Sequence, residues 1–169
     1  EPLSYIGHWS IVLGVPAMLF ILVLYLQTRV PAAPALAIRT ASVVIGKDAA
    51  PIPVTLPHDW RTGKHSPSSR VYRFEWIIAQ PPEELWALFL PRVSMQADVF
   101  LNGHLLGRGG SIAGPLTLNW NLPLYFTLPT ALLHPGKNEI AVDVTAEPGD
   151  MGLLREIYLG PHDRLVQDY

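Results

Sequence analysis

The stretch RVYRFEWIIA, residues 70–79, alternates between two kinds of side chain along its length. Tyr72, Phe74 and Trp76 fall on one side, and charged residues such as Glu75 fall on the other. Successive side chains of a β-strand point to opposite faces, so this period of two predicts a strand that is buried on one face only. Such a strand needs a second layer to cover its aromatic face.

The sequence on either side of this strand predicts more strands, all of them short. Residues 97–107, ADVFLNGHLLG, place Asn102-Gly103 between two apolar runs, and Asn-Gly is a strong signal for a two-residue hairpin turn. The chain also has 17 prolines, which disfavour long helices and suit short strands and turns. Further strands are expected within 36–45, 52–56, 85–90, 116–128, 139–145 and 152–159. The pattern predicts an all-β fold, a β-sandwich.

An apolar run near the N-terminus has a different character. Trp9 to Leu26 contains no charged residue, and extended back to Ile6 it would form roughly 31 Å of helix, the thickness of a bilayer core. The run therefore predicts a single transmembrane helix, and it lacks the polar stripe of a buried core helix. A cleaved signal peptide is the main alternative, because Ala35-Leu36-Ala37 resembles a small-x-small cleavage site. Against cleavage, no Lys or Arg precedes the run.

We divide the chain into four parts on this basis. The transmembrane helix with its flanks takes residues 1–29, a stiff Pro/Ala linker 30–35, the β-sandwich 36–160 and a C-terminal tail 161–169. Arg29 is the only basic residue beside the apolar run, and taken alone it favours a cytoplasmic sandwich.

Composition argues against several classes of function. The formal net charge is -2 and no basic block occurs, so we expect no nucleic-acid partner. The chain has no cysteine and therefore no disulfide or thiolate metal site. Its six histidines show no HExxH-like spacing, and residues 107–111 lack the frame of a phosphate-binding loop. We expect no metal, no cofactor and no catalytic residue.

Several short blocks of the sandwich region carry a family resemblance. Residues 56–60 read LPHDW, residues 97–103 read ADVFLNG, and residues 135–142 read PGKNEIAV. In this order the blocks resemble the sugar-binding domain of family-two glycoside hydrolases such as β-galactosidase and β-glucuronidase. The resemblance covers residues 36–160 and implies a galactose-binding-like jelly roll. The catalytic carboxylates of those hydrolases lie in a separate barrel domain, so the resemblance implies no enzyme activity here.

A second resemblance bears on location. Similar domains serve as extracytoplasmic input domains of membrane-bound bacterial sensor kinases and seven-helix receptors. There the domain follows a transmembrane helix and ends in a run like Ile157 to Pro161. The resemblance implies a single-pass protein of the cell inner membrane with a periplasmic sandwich, against the indication from Arg29.

The motif residues are expected to have structural roles. Trp60 is expected to be packed at a strand end, and Asp59 to accept backbone N–H hydrogen bonds. The Asn-Gly pair is expected to form a turn. The residues assigned to this structural class are Pro57, His58, Asp59, Trp60, Asn102 and Gly103.

A carbohydrate site would need an exposed aromatic ring flanked by planar polar groups. Asn119, Trp120 and Asn121 are the best local match, because the indole could stack on a sugar and the two amides could bond its hydroxyls. Arg108 and His104 are expected at the same end of the domain. Packing of Trp120 in a core or an interface is the alternative.

These features predict a non-catalytic, single-pass membrane-anchored module that acts as an accessory or assembly subunit of a larger membrane complex, such as an energy-transducing or transport complex. Its expected partners are the lipid bilayer and other membrane-protein subunits, contacted through the helix and the sandwich. The alternative is a sensing input domain of a membrane signalling receptor, with a carbohydrate as the ligand. A membrane-tethered hydrolase is a third class, for which the sequence offers no candidate active site.

Overall fold

A computed structural model describes residue 18 and residues 35–46, 49–65, 68–94, 96–109 and 123–166. The chain divides into two units, residues 1–32 and 33–169, and the strands described below all belong to the second. Apart from Met18, which is helical, the predicted transmembrane run lies outside the described residues. Within these ranges, no helix is both long and apolar enough to cross a membrane.

The described residues form twelve β-strands, a short C-terminal α-helix and one turn of 3-10 helix. The strands are β1 (Leu36–Ile38), β2 (Thr40–Val44), β3 (Ile52–Thr55), β4 (His58–Arg61), β5 (Ser68–Ile78), β6 (Trp86–Leu90), β7 (Gln96–Leu101), β8 (His104–Gly109), β9 (Leu124–Leu128), β10 (Gly136–Ala146), β11 (Met151–Leu154) and β12 (Ile157–Pro161). The helix α1 is His162–Leu165, and the 3-10 turn is Thr130–Leu132.

The larger sheet has six strands in the order β3-β2-β5-β10-β7-β8, and all its neighbouring strands are antiparallel. At its centre β5 and β10, of 11 residues each, pair along their whole length. The predicted alternation of β5 is confirmed, because Tyr72 and Phe74 are buried while Arg73 and Glu75 are exposed. The larger sheet therefore has one face in the core and one face in water.

The smaller sheet has four strands in the order β1-β12-β6-β9 and covers the apolar face of the larger one. Leu88 and Leu159 from the smaller sheet and Ile140 and Val142 from the larger one are all 0% exposed in a single core. A two-stranded sheet of β4 and β11 adds Trp60 to this core. The predicted β-sandwich is thus confirmed, and the buried members of its core all lie between residues 41 and 159.

Two predicted strands prove to be two strands each. Residues 36–45 divide at Arg39, because β1 pairs with β12 in the smaller sheet whereas β2 pairs with β3 and β5 in the larger one. Residues 152–159 divide in the same way, with β11 on β4 and β12 on β6. The alternation of apolar and polar residues does not change where a chain passes from one sheet to the other. The sequence pattern therefore gave no sign of the breaks within 36–45 and 152–159. Helix α1 lies in the predicted tail, 161–169.

Candidate functional site

The predicted carbohydrate-binding residues are only partly described. Asn119, Trp120 and Asn121 lie outside the described residues. The remaining two, His104 and Arg108, lie on β8, where His104 is the first residue and both are exposed. Four residues along a strand separate them by about 13 Å, so they stand well apart on that strand.

Arg108 is engaged on the water-facing side of the larger sheet. Its Nε donates a hydrogen bond to Oδ2 of Asp98 on the neighbouring strand β7, over 3.2 Å. Asp98 is in turn paired in register with Asp143 on β10. Burial raises the pKa of Asp143, and the negative charge of Asp98 raises it further, while a hydrogen bond from Ser69 acts in the opposite direction. Asp143 Oδ1 is buried without a hydrogen-bond partner in the described part of the chain.

The LPHDW block forms an aromatic cluster at the start of β4. The peptide bond between Leu56 and Pro57 is cis, and β4 begins directly after it at His58. His58 Nδ1 lies 2.8 Å from the hydroxyl of Tyr72 on β5. The His58 ring also stacks on Trp60, with 6.2 Å between the ring centroids.

Trp60 is enclosed by neighbours on several sides. The guanidinium carbon of Arg70 lies 4.7 Å from the centroid of the Trp60 ring, a cation–π distance. Gly152 on β11 lies so close that a Cβ there would be 2.1 Å from Trp60 Cζ2, so only glycine fits. Trp60 is 6% exposed, whereas Asp59 on the alternate side of β4 is exposed to water.

Burial favours the neutral form of both titratable groups in this cluster. Burial lowers the pKa of His58, and the charge of Arg70 lowers it further, against a smaller opposite effect of Asp59. Burial strongly raises the pKa of Tyr72, which is 0% exposed. The Tyr72 hydroxyl is buried out of reach of a substrate in water, and its contact with His58 joins β4 to β5.

The Asn102-Gly103 turn has the backbone that the sequence predicts. Asn102 has a φ of 49° and Gly103 a φ of 81°, as a two-residue hairpin turn of type I′ requires. The Asn102 Oδ1 accepts a hydrogen bond from the N–H of Glu139 over 2.8 Å. Its Nδ2 donates to Leu132 O over 2.7 Å and to Asn138 Oδ1 over 2.8 Å. The side chain of Asn102 is therefore engaged within the fold.

Asn138 is a structural residue whose part in this network the sequence did not reveal. It is 0% exposed, and its Nδ2 donates to the carbonyl oxygen of His134 over 2.8 Å. Its Oδ1 accepts from Asn102, so it joins the start of β10 to the β7–β8 hairpin. A buried amide with its hydrogen bonds satisfied fixes the geometry of both turns.

The outer side of the smaller sheet, away from the main core, carries a row of aromatic rings. Tyr158, Phe89 and Tyr125 follow one another across β12, β6 and β9, with centroids 6.1 Å and 6.5 Å apart. Leu165 of helix α1 is fully buried in the same cluster, and Tyr125 Oη lies 2.8 Å from His162 Nδ1. The rings are tilted by 35° and 46° to one another and Phe89 is 7% exposed, so they offer no flat stacking surface for a sugar.

The described residues contain no group of three side chains that could hold a metal ion. Acid–base or nucleophilic chemistry needs a reactive group that a substrate can reach. In the clusters above, His58 is bound to Tyr72 and Asn102 to Asn138, whereas Asp143 Oδ1 and Trp60 Nε1 are buried without a hydrogen-bond partner in the described residues. The described domain has two distinct outer faces: a charged face on the larger sheet and an aromatic face on the smaller one.

Neither known protein families nor curated proteins give a match to this chain. Solved structures do. The β-glucuronidase from Ruminococcus gnavus in complex with an N1-substituted uronic isofagomine matches with a TM-score of 0.59 and 11% identity, over 78% of this chain and 30% of that chain. The FMN-binding β-glucuronidase from Faecalibacterium prausnitzii L2-6 matches with 0.53 and 19%, over 74% and 22%. The GH2 β-galacturonidase from Eisenbergiella tayi bound to galacturonate matches with 0.54 and 15%, over 76% and 24%.

The TM-scores of 0.53, 0.54 and 0.59 show a likeness of fold alone, since the identities are 19%, 15% and 11%. The chain spans less than a third of the length of the similar structures, at 22%, 24% and 30%. The resemblance to sensor-kinase input domains stays a prediction. In its fold, the described domain is similar to a β-sandwich of family-two glycoside hydrolases, as its LPHDW and ADVFLNG blocks predict.

Proposed function

We propose that this chain is a non-catalytic interaction module, anchored by one N-terminal transmembrane helix, with its jelly-roll sandwich in the periplasm. In this proposal the helix and the sandwich bind other subunits of a larger membrane complex, in which the chain is an accessory or assembly subunit. The observation that carries the proposal is that His58 and Tyr72, and likewise Asn102 and Asn138, are bound to each other within the sandwich.

The internal use of these groups can be followed cluster by cluster. His58 is bound to Tyr72, and Asn102 is bound to Asn138. Tyr72 and Asn138 are both 0% exposed. A reaction that used Tyr72 or Asn138 would require the core of the sandwich to open.

The anchor rests on the apolar run of residues 9–26. Met18, the residue of this run that the structure describes, is helical. In the sequence, the predicted linker at residues 30–35 leads directly into β1, so such a helix would tether the sandwich to the membrane.

The anchor and the partners can be tested together in bacterial membranes. We expect the full chain to stay in the membrane during carbonate washing and, after detergent extraction, to give a native mass that includes other subunits. A variant with Leu19→Arg and Leu22→Arg is the control, because each central arginine costs about 3 kcal/mol of insertion free energy. Release of the unaltered chain by carbonate would contradict the anchor, and a detergent-solubilised monomer would contradict the assembly role.

A carbohydrate-sensing input domain is the second candidate. It is favoured by the pairing of β1 with β12, which places the first and last strands of the sandwich side by side, so that a ligand-induced shift would act on both at one edge. One of the similar structures holds galacturonate. We would therefore follow the melting temperature of the chain with galacturonate and glucuronate, since a ligand of the folded state raises it.

Trp120 gives this second candidate its control. If Trp120 is a stacking platform, Trp120→Ala keeps the unliganded melting temperature and removes the rise caused by the sugar. A fall of about 10 °C or more in the unliganded protein would mean that Trp120 is packed in the fold, and the sugar site would be given up.

A further inference from the structure

Exposed apolar side chains gather around helix α1. Leu85, before β6, is 46% exposed, and Val166, after α1, is 49% exposed. Both contact the same residue, because Leu85 O accepts from the N–H of His162 over 2.8 Å and the Val166 N–H donates to His162 O over 2.9 Å. Tyr125 also contacts His162 through its hydroxyl, and Tyr158 lies in the same aromatic row. We call Leu85, Tyr125, Tyr158 and Val166 the α1 patch.

The residues beneath the α1 patch are buried. Leu165 and Ala87 beneath it are 0% exposed, so the helix is held against the smaller sheet. The charged residues on the helix itself are Asp163 and Arg164, of opposite sign and both exposed. The patch is therefore apolar and aromatic without a net charge from its own helix.

The described chain enters the sandwich beside this patch. From Leu26, the last residue of the apolar run, nine residue steps lead to Ala35, and an extended chain covers at most about 32 Å in nine steps. Ala35 lies against Gly160, where a Cβ would be 2.9 Å from Ala35 Cα. Gly160 is two residues from His162, so Ala35, where the described sandwich begins, lies beside the α1 patch.

We propose that the α1 patch docks onto the lipid bilayer, at the boundary between headgroups and acyl chains. This inference rests on the proposed membrane anchor. Tyrosines suit this boundary because they are apolar with a polar tip, and half-exposed aliphatic side chains gain by leaving water there. Since Asp163 and Arg164 are of opposite sign, docking needs no anionic lipid and depends little on salt.

The absence of cysteine allows a direct test in the full chain. A single cysteine carrying an environment-sensitive fluorophore is placed by Val166→Cys, or by Ile52→Cys as the control, in chains reconstituted into phosphatidylcholine vesicles. Ile52 is 51% exposed but belongs to β3, at the edge of the other sheet. We expect blue-shifted emission and quenching by acyl-chain-brominated lipid at position 166, and water-like emission without quenching at position 52.

A second pair of variants separates docking from chance proximity. Leu85→Glu is expected to reduce the quenching at position 166 by about two-fold or more, because a charge in the patch opposes entry into lipid. Ile45→Glu, at a residue that directly follows β2 of the larger sheet and is 44% exposed, should leave this quenching unchanged.

Three results would overturn the proposal. Chains that float with vesicles but show water-like emission at both positions would overturn docking and leave the anchor intact. Chains that do not float would overturn the anchor, and docking with it. Emission at position 166 that shifts with protein concentration in detergent, without lipid, would identify a second copy of the chain as the occupant instead.

Discussion

The two outer sides of the sandwich, away from its main core, differ in the side chains that they carry. On the larger sheet, charged side chains alternate with buried ones and form ion pairs such as Arg73–Glu139 and Lys137–Glu75, both at 2.6 Å. On the smaller sheet, the corresponding side carries a row of aromatic rings that includes Phe89, and helix α1 packs against it. In both sheets, antiparallel strands provide the outward-facing positions. On the larger sheet these side chains face water, whereas on the smaller sheet helix α1 packs over them.

This difference predicts where the stability of the sandwich is concentrated outside its main core. Exposed ion pairs contribute about 0–1 kcal/mol each, because water screens them and ordering long side chains costs entropy. Burial of one large apolar side chain contributes about 1.5–3 kcal/mol. Substitutions on the aromatic face should therefore destabilise the protein much more than substitutions on the charged face.

The largest effect is expected from Leu165→Ala. Leu165 is 0% exposed beneath α1, and truncation of a buried leucine lowers the free energy of unfolding by about 2–4 kcal/mol. Urea unfolding of residues 33–169 measures it, with Val166→Ala as the neighbouring control, since Val166 is 49% exposed. Equal effects of the two substitutions would mean that α1 is not packed on the sheet.

Tyr125→Phe should have a smaller effect on the same face. It removes the hydroxyl that lies 2.8 Å from His162 Nδ1, and loss of one such hydrogen bond lowers the free energy of unfolding by about 1 kcal/mol. A double-mutant cycle with His162→Ala gives the coupling directly. If the two effects simply add, the hydrogen bond does not hold α1 in place.

On the charged face, Asp143→Asn should stabilise the protein at neutral pH. Burial and the neighbouring charge of Asp98 raise the pKa of Asp143 in the folded state, so the folded protein holds this proton more tightly than the unfolded chain. Stability from this group is fully present below the unfolded pKa near 3.8 and is lost as pH rises through the folded pKa. We expect Asn to raise the melting temperature at pH 7 by about 1–3 °C.

The pH series provides the control for Asp143→Asn. Below the unfolded pKa, Asp143 is protonated in both states, so the melting temperatures of the two proteins should converge there. Asp98→Asn should weaken the pH dependence of the unaltered Asp143, because it removes the like charge beside it. A stabilisation by Asp143→Asn that is the same at all pH values would exclude the ionisation of Asp143 as its cause.

The sequence predicted the features that depend on neighbouring residues. The alternation within 70–79 gave strand β5, and Asn102-Gly103 gave the β7–β8 hairpin. Both signals are local, since a strand period and a positive-φ turn are set by residues next to one another. The blocks at 56–60 and 97–103 added the fold resemblance, which the similar structures confirm.

Features that depend on distant partners were not predicted. Asn138 has the sequence signal of a turn, but its buried position depends on Asn102, 36 residues earlier. The raised pKa of Asp143 depends on Asp98 in the next strand, and the break at Arg39 depends on which sheet accepts each half. A register is set by the whole sheet, so no local pattern could have placed these groups together.

The smallest effect is expected from Lys137→Met on the charged face. Its Nζ lies 2.6 Å from Glu75 Oε1, but the two side chains are 61% and 51% exposed, so water screens their attraction. We expect a change in the free energy of unfolding within about 0.5 kcal/mol in low salt, and less in about 0.5 M NaCl. Glu75→Gln is the matched control, because it removes the same ion pair from the other side. A loss above about 1.5 kcal/mol for either variant would show that this face is held together by its charges, and the contrast with the aromatic face would fail.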